Sequence, residues 1–99
     1  MAGIDDLIAF LDASPSAWHA ADTAVQRLVA AGFEQVRLDE PWTDVPDRGL
    51  VARGAAVVAW DLSAVAGGAP LHIVGAHTDS PCLKLKPRPD TGGLGWKQL

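Results

Sequence analysis

The chain has 99 residues, enough for one small domain or part of a larger one, and its 48% hydrophobic and 20% charged content fit a globular protein, not a disordered or fibrous one. A formal net charge of −4 argues against a general affinity for nucleic-acid phosphates, which needs clustered Lys and Arg. The single cysteine, Cys82, rules out an internal disulfide framework, no apolar run reaches membrane-spanning length, and acids stand near the amino terminus where a secretory signal carries basic residues. The expected setting is cytoplasmic, with neither nucleic acid nor membrane as partner.

Ile4, Leu7, Ile8 and Leu11 recur at helical spacing, with Asp5 and Asp6 in the first turn where they favour the helix dipole, so a first helix is expected here. Ser14-Pro15 closes it and opens a second helix, with Ser14 as the expected cap and Pro15 in the first turn. Trp18, Ala21, Val25, Leu28 and Val29 form the apolar face of that helix, and Gly32 stands where a left-handed terminating residue belongs.

The period then changes. Phe33, Val36 and Leu38 predict a short strand, and Glu40 to Gly49, carrying Pro41 and Pro46, reads as a loop. Leu50 to Leu62 reads as a strand broken or bulged at Gly54. After the turn-rich stretch 64–70, Leu71 to Val74 has the short, apolar, partly β-branched character of a buried strand, and spacing pairs it with the preceding one as a hairpin. Cys82 to Lys86 alternates apolar and basic residues before Pro87 and Pro89 break the pattern.

The chemistry concentrates at Val74 to Pro87, "VGAHTDSPCLKLKP". The expected buried strand ends at Val74, two small residues follow, and then come His77 and Asp79. Ligands of open α/β sheets bind just beyond the carboxyl ends of strands, where side chains converge as the chain leaves the sheet. A neutral imidazole is the commonest protein ligand for zinc, and a carboxylate two residues on can orient it from behind. An isolated His-X-Asp triplet is weak ground, since short motifs recur without function and such residues commonly cap a turn.

The longer segment is more specific. "GAHTDSPCLKLKP" resembles, nearly letter for letter, the first metal-binding segment of the aspartyl aminopeptidase family of dinuclear zinc metallopeptidases. "FLDASPSAWHAADTAVQRLVAAGF", Phe10 to Phe33, is similar to that family's amino-terminal segment of helix, Ser-Pro, aromatic-His, helix and Gly-Phe. Trp42, Arg53 and "VVAW" around Trp60 fall where the family has an aromatic residue, an arginine and an apolar strand, and "GWKQL" looks like the start of its next segment.

The resemblance implies an α/β fold: the amino-terminal part of a zinc-peptidase catalytic domain, two helices followed by mixed-sheet strands, with residues from about 88 to 99 beginning an inserted oligomerisation domain. It implies removal of amino-terminal residues, acidic ones (Asp or Glu) by preference, from peptides, with two zinc ions in the complete enzyme and assembly into a homo-oligomer. His77 becomes a zinc ligand, and Asp79 takes a catalytic part as the carboxylate supporting the metal site from beside it. The family's bridging carboxylate, its adjacent glutamate pair and its later acidic and histidine ligands have no counterpart here. Glu34 and Glu40 are the chain's glutamates, both precede the metal segment, and both read as solvated surface charges. Residues 1–99 alone are therefore expected to be inactive, as a fragment or a truncated reading frame. Two other readings stay open: a non-catalytic truncated relative serving as an interaction or structural piece, and a different dinuclear zinc hydrolase acting on small molecules.

Among the remaining residues, His19 reads as structural at the start of the second helix and His72 as packing within the apolar strand. Cys82 reads as a small, half-buried residue. Lys84 and Lys86 read as the wet face of a strand, and the four tryptophans as packing anchors.

Overall fold

The computed structural model describes residues 3–65 and 67–98. Position 66 of the turn-rich stretch, the first two residues and the last lie outside the described residues. Helix α1 spans Ile4–Asp12 with Asp5 and Asp6 in its first turn, and α2 spans Ala17–Ala30. Arg27 joins them by pairing its Nη1 with Asp6 at 2.9 Å while its guanidinium lies over Phe10.

The cap of α2 differs from the expected one. Ser16, not Ser14, is the N-cap, and its Oγ accepts the backbone N–H of His19 at 3.3 Å and meets the His19 ring at 2.6 Å. Both serines flank Pro15, and the helix begins only after the second. Ser14 is instead buried, its hydroxyl without a hydrogen-bond partner among the described residues.

At the other end, Gly32 adopts φ +91°. Its N–H bonds the Val29 carbonyl and that of Phe33 the Leu28 carbonyl, each at 3.0 Å. This is the Schellman pattern, in which a left-handed residue lets the chain fold back onto the orphan carbonyls.

Strand β1, Glu34–Gln35, lies inside the Phe33–Leu38 stretch and pairs in parallel with β2, Arg48–Arg53, which pairs antiparallel with β3, Ala56–Asp61. The resulting three-stranded mixed sheet runs β1-β2-β3. The interruption expected at Gly54 is a full reversal that makes two strands: Gly54, at φ +59°, turns the chain in a two-residue loop between Arg53 and its partner Ala56. A glycine at the first loop position supplies the positive φ that tight hairpins need. Helix α2 packs on β2 and β3, and the core centres on Leu50, 0% exposed, and Ala21, 2% exposed.

Arg48 and Asp61 face each other across the hairpin, with Nε to Oδ2 at 3.1 Å. Asp61 also accepts the hydroxyl and backbone N–H of Ser63. The Ser63 hydroxyl first, then its N–H and the Arg48 charge, hold the Asp61 carboxyl below the usual carboxylate range. A carboxyl lowered on folding stabilises the fold above its unfolded value and loses that contribution as pH falls through the lower folded value. Urea midpoints measured downward from about pH 5, through the unfolded carboxylate value near 4, should therefore fall less steeply in Asp61→Asn than in the wild type; equal slopes would remove Asp61 from the acid limb.

Beyond Asp61 the structure departs from expectation. Leu71 to Val74 form no strand, and Ile73 and Val74 are 89% and 94% exposed. The expected pairing of this segment with the preceding strand is absent: β3 pairs with β2 and with no other strand among the described residues. An apolar, β-branched run becomes a buried strand only when neighbouring strands take its backbone groups and layers cover both faces. One helix pair and three short strands do not supply them.

His72 is consequently exposed and not packed in a strand, and Cys82 is exposed and not half-buried. Cys82 to Lys86 is likewise irregular, with Leu83 and Leu85 open to solvent. The α1 stripe of Ile4, Leu7, Ile8 and Leu11 is exposed as well. The Cα radius of gyration, 18.7 Å, exceeds the value of about 13 Å for a compact chain of this length. Strands β4, Thr91–Gly93, and β5, Trp96–Gln98, pair antiparallel in a separate two-stranded sheet.

Candidate metal centre

His77 and Asp79 stand in the irregular segment that passes the tip of the β2–β3 hairpin. Residues 76–79 line one side of an open cleft of about 400 Å³ and Ala55, Ala56 and Val57 the other. His77 Nδ1 contacts Asp79 Oδ1, and both side chains are largely exposed. With Nδ1 directed at the carboxylate, Nε2 is the ring nitrogen left for a metal, the arrangement in which a carboxylate fixes the tautomer and orientation of a ligating imidazole. The donor set thus fits one zinc ligand with its orienting partner.

It does not make a whole site. Among the described residues no group of three or more His, Cys, Asp or Glu side chains converges, whereas a catalytic zinc needs three protein ligands and an open position. His19 pairs with Ser16, and His72 does not join the cleft lining.

Two further contacts seat the segment. Thr78 Oγ1 donates to the Ala55 carbonyl at 2.5 Å, and Ser80 Oγ donates to the Ser14 carbonyl at 3.5 Å, a long bond. Lys84 Nζ lies 3.9 Å from the centroid of the Trp18 ring, a cation–π contact, so this lysine packs on the start of α2 and is not simply the wet face of a strand. The chain from 77 to 84 therefore bridges the hairpin tip and the α1–α2 connection. Sequence reasoning missed Thr78, because its partner is a backbone carbonyl 23 residues away, which no side-chain pattern marks.

The model of the family described as aminopeptidase I zinc metalloprotease (M18) matches residues 10–99. The chain belongs to the M18 aminopeptidase family. This agrees with the resemblance carried by residues 75–87, and it brings zinc metalloprotease chemistry with it as the character of the family. Similar M18 relatives include a probable M18 family aminopeptidase 2 of Streptomyces coelicolor, 50% identical over 96 residues, or 96% of this chain and 22% of the relative. Another, of Streptomyces avermitilis, is 49% identical over the same shares, and one of Mycobacterium leprae is 43% identical over 93% of this chain and 22% of the relative. The M18 chain thus spans about 22% of the length of these relatives. Among the described residues no helix is long and apolar enough to cross a membrane.

Proposed function

We propose that residues 1–99 contribute one zinc ligand, His77, and its orienting carboxylate, Asp79, to an aminopeptidase that removes amino-terminal acidic residues from peptides. The observation that carries this reading is the His77–Asp79 contact at the cleft beside the hairpin tip, within a chain matched to a zinc metalloprotease family. When bound, zinc supplies Lewis-acid polarisation of a carbonyl and activation of water at neutral pH. Asp79 holds the His77 ring by Nδ1, so that Nε2 is presented to the ion in one orientation. A pair of such ions is part of the reading, with the remaining ligands and the proton-shuttling carboxylate contributed from outside these 99 residues.

Cytoplasmic location and homo-oligomeric assembly belong to the same reading. The lone thiol of Cys82 fits a reducing compartment. The separate β4–β5 hairpin supports placing the start of an inserted domain in residues from about 88 to 99. The uncovered apolar stripe of α1 and, separately, the exposed Leu71, Ile73 and Val74 support packing against further polypeptide, since large apolar residues grouped on an exposed element mark an interface.

Residues 1–99 alone should be inactive. Purified chain incubated with zinc and an aspartyl or glutamyl anilide is expected to release no aniline above a zinc-only control. Release that disappears in His77→Ala would overturn the claim of inactivity. In the full-length polypeptide carrying these residues, aspartyl and glutamyl anilides should be cleaved with higher kcat/KM than the leucyl anilide; the opposite order would remove the acidic preference and leave the metal reading intact.

A further inference from the structure

The contact between Thr78 and Ala55 does more than hold a loop. Residues 71–85 lack helix and strand. Among the described residues, the hydrogen bonds joining that stretch to the rest of the chain are Thr78 Oγ1 to Ala55 O at 2.5 Å and Ser80 Oγ to Ser14 O at 3.5 Å. The first is short and falls on the residue between His77 and Asp79, while the second lies near the outer limit for a hydrogen bond.

Ala55 belongs to the loop of a hairpin whose strands pair without interruption from Arg53↔Ala56 back to Arg48↔Asp61. That hairpin is anchored by Leu50, the most completely buried side chain among the described residues. A path of fixed geometry therefore runs from the core through the β2–β3 ladder to the Ala55 carbonyl, then through the Thr78 hydroxyl to the backbone carrying His77 and Asp79. These two side chains meet each other, while the residue between them turns its hydroxyl to a different partner.

We infer that Thr78 is a positioning residue for the metal ligand: its hydroxyl clamps the His77–Asp79 stretch onto the hairpin tip, so that the imidazole is presented to zinc from a fixed backbone. The inference rests on the reading of His77 as a zinc ligand. Without this tether the His77–Asp79 stretch would be held only from beyond it, by Ser80 and Lys84, and the added ordering on metal binding would subtract from affinity. Losing the tether should weaken zinc binding on the order of tenfold, the scale of one net hydrogen bond and the lower end of what outer partners of metal ligands carry.

The test is zinc affinity of the full-length polypeptide, measured by competition with a chromophoric chelator, for the wild type, Thr78→Val, Thr78→Ala, Thr78→Ser and His77→Ala. Valine keeps the shape of threonine and removes the hydroxyl, alanine removes both, and serine keeps the hydroxyl. The metal-free melting midpoint is recorded for each, and alanine keeps the comparison open if the valine variant does not fold. Valine and alanine should both bind zinc more weakly, serine should restore wild-type affinity, and the metal-free midpoints should stay together. The cobalt-substituted valine variant should also show a shifted d–d band, which follows ligand geometry. Wild-type affinity in valine and alanine alongside a loss in His77→Ala overturns the inference and leaves the metal reading standing. A serine variant as weak as valine also overturns it, because the hydroxyl is then not the cause. Undiminished binding in His77→Ala overturns the metal reading and this inference together.

Discussion

His77→Ala in the full-length polypeptide should lower zinc affinity by more than about 100-fold, beyond the range of about 10–100-fold that attaches to outer partners of metal ligands. On the proposed reading the substitution removes the ligating nitrogen itself, and no other histidine lines the cleft to replace it. Asp79→Asn tests a different quantity. The amide oxygen can still accept from Nδ1–H, so the ring keeps its direction, but the negative charge that makes the imidazole a stronger donor is gone. Its loss should fall within about 10–100-fold. The ordering is the discriminating result, because a bystander aspartate would leave affinity unchanged, whereas an aspartate that itself ligates would cost as much as the histidine. Isothermal titration or chelator competition at fixed pH reads both values, and kcat/KM of zinc-saturated protein shows whether the damage outlasts metal loading.

The sequence showed most of the local structure because local structure depends on nearby residues. The α1 stripe, the acids of its first turn and the glycine ending α2 each act within one or two turns, and each lies where periodicity and cap chemistry put it. The cap of α2 lies two residues beyond the expected Ser14 because Ser14-Pro15-Ser16 offers two serines of equal capping chemistry, and burial of Ser14 decides between them. Gly54 was legible as an interruption but not as a reversal. A bulge and a tight turn both call for glycine, and the six-residue lengths of β2 and β3 settle the choice through pairing that the residues alone do not state.

Non-local structure was less legible. Leu71 to Val74 has a strand's composition, but composition cannot supply the neighbours that make a strand, and the segment stays exposed. The candidate site divides in the same way. His77 and Asp79 were legible as candidates because their spacing and flanking letters form a motif, while the contact of Thr78 was hidden because its partner is a peptide carbonyl. The part of the site most dependent on folding is thus the part least marked in the letters.

Gly49→Ala should destabilise the full-length polypeptide by about 1–3 kcal/mol, the usual cost of forcing an extra carbon into a filled site. Gly49 pairs with Trp60 across the β2–β3 ladder, and a Cβ built on it would lie 2.6 Å from Trp60 Cε2 and 3.0 Å from Pro46 Cγ. The ring has little freedom to withdraw. Its Nε1 donates to the Pro46 carbonyl at 2.8 Å, and its face lies 5.9 Å, centroid to centroid, from Trp42. Either the indole swings away and loses both contacts, or the ladder opens at this pair and loosens the hairpin that carries Ala55. The clash is therefore coupled to the indole, and a double-mutant cycle measures it. Trp60→Phe alone should cost about 1 kcal/mol for the lost hydrogen bond, while Gly49→Ala made in the Trp60→Phe background should cost less than in the wild type because the smaller ring leaves space. A coupling of about 0.5–3 kcal/mol from urea denaturation followed by circular dichroism is the expected result. Strict additivity would mean that the indole does not fill the space over Gly49, and the glycine would then have to be explained by its backbone alone.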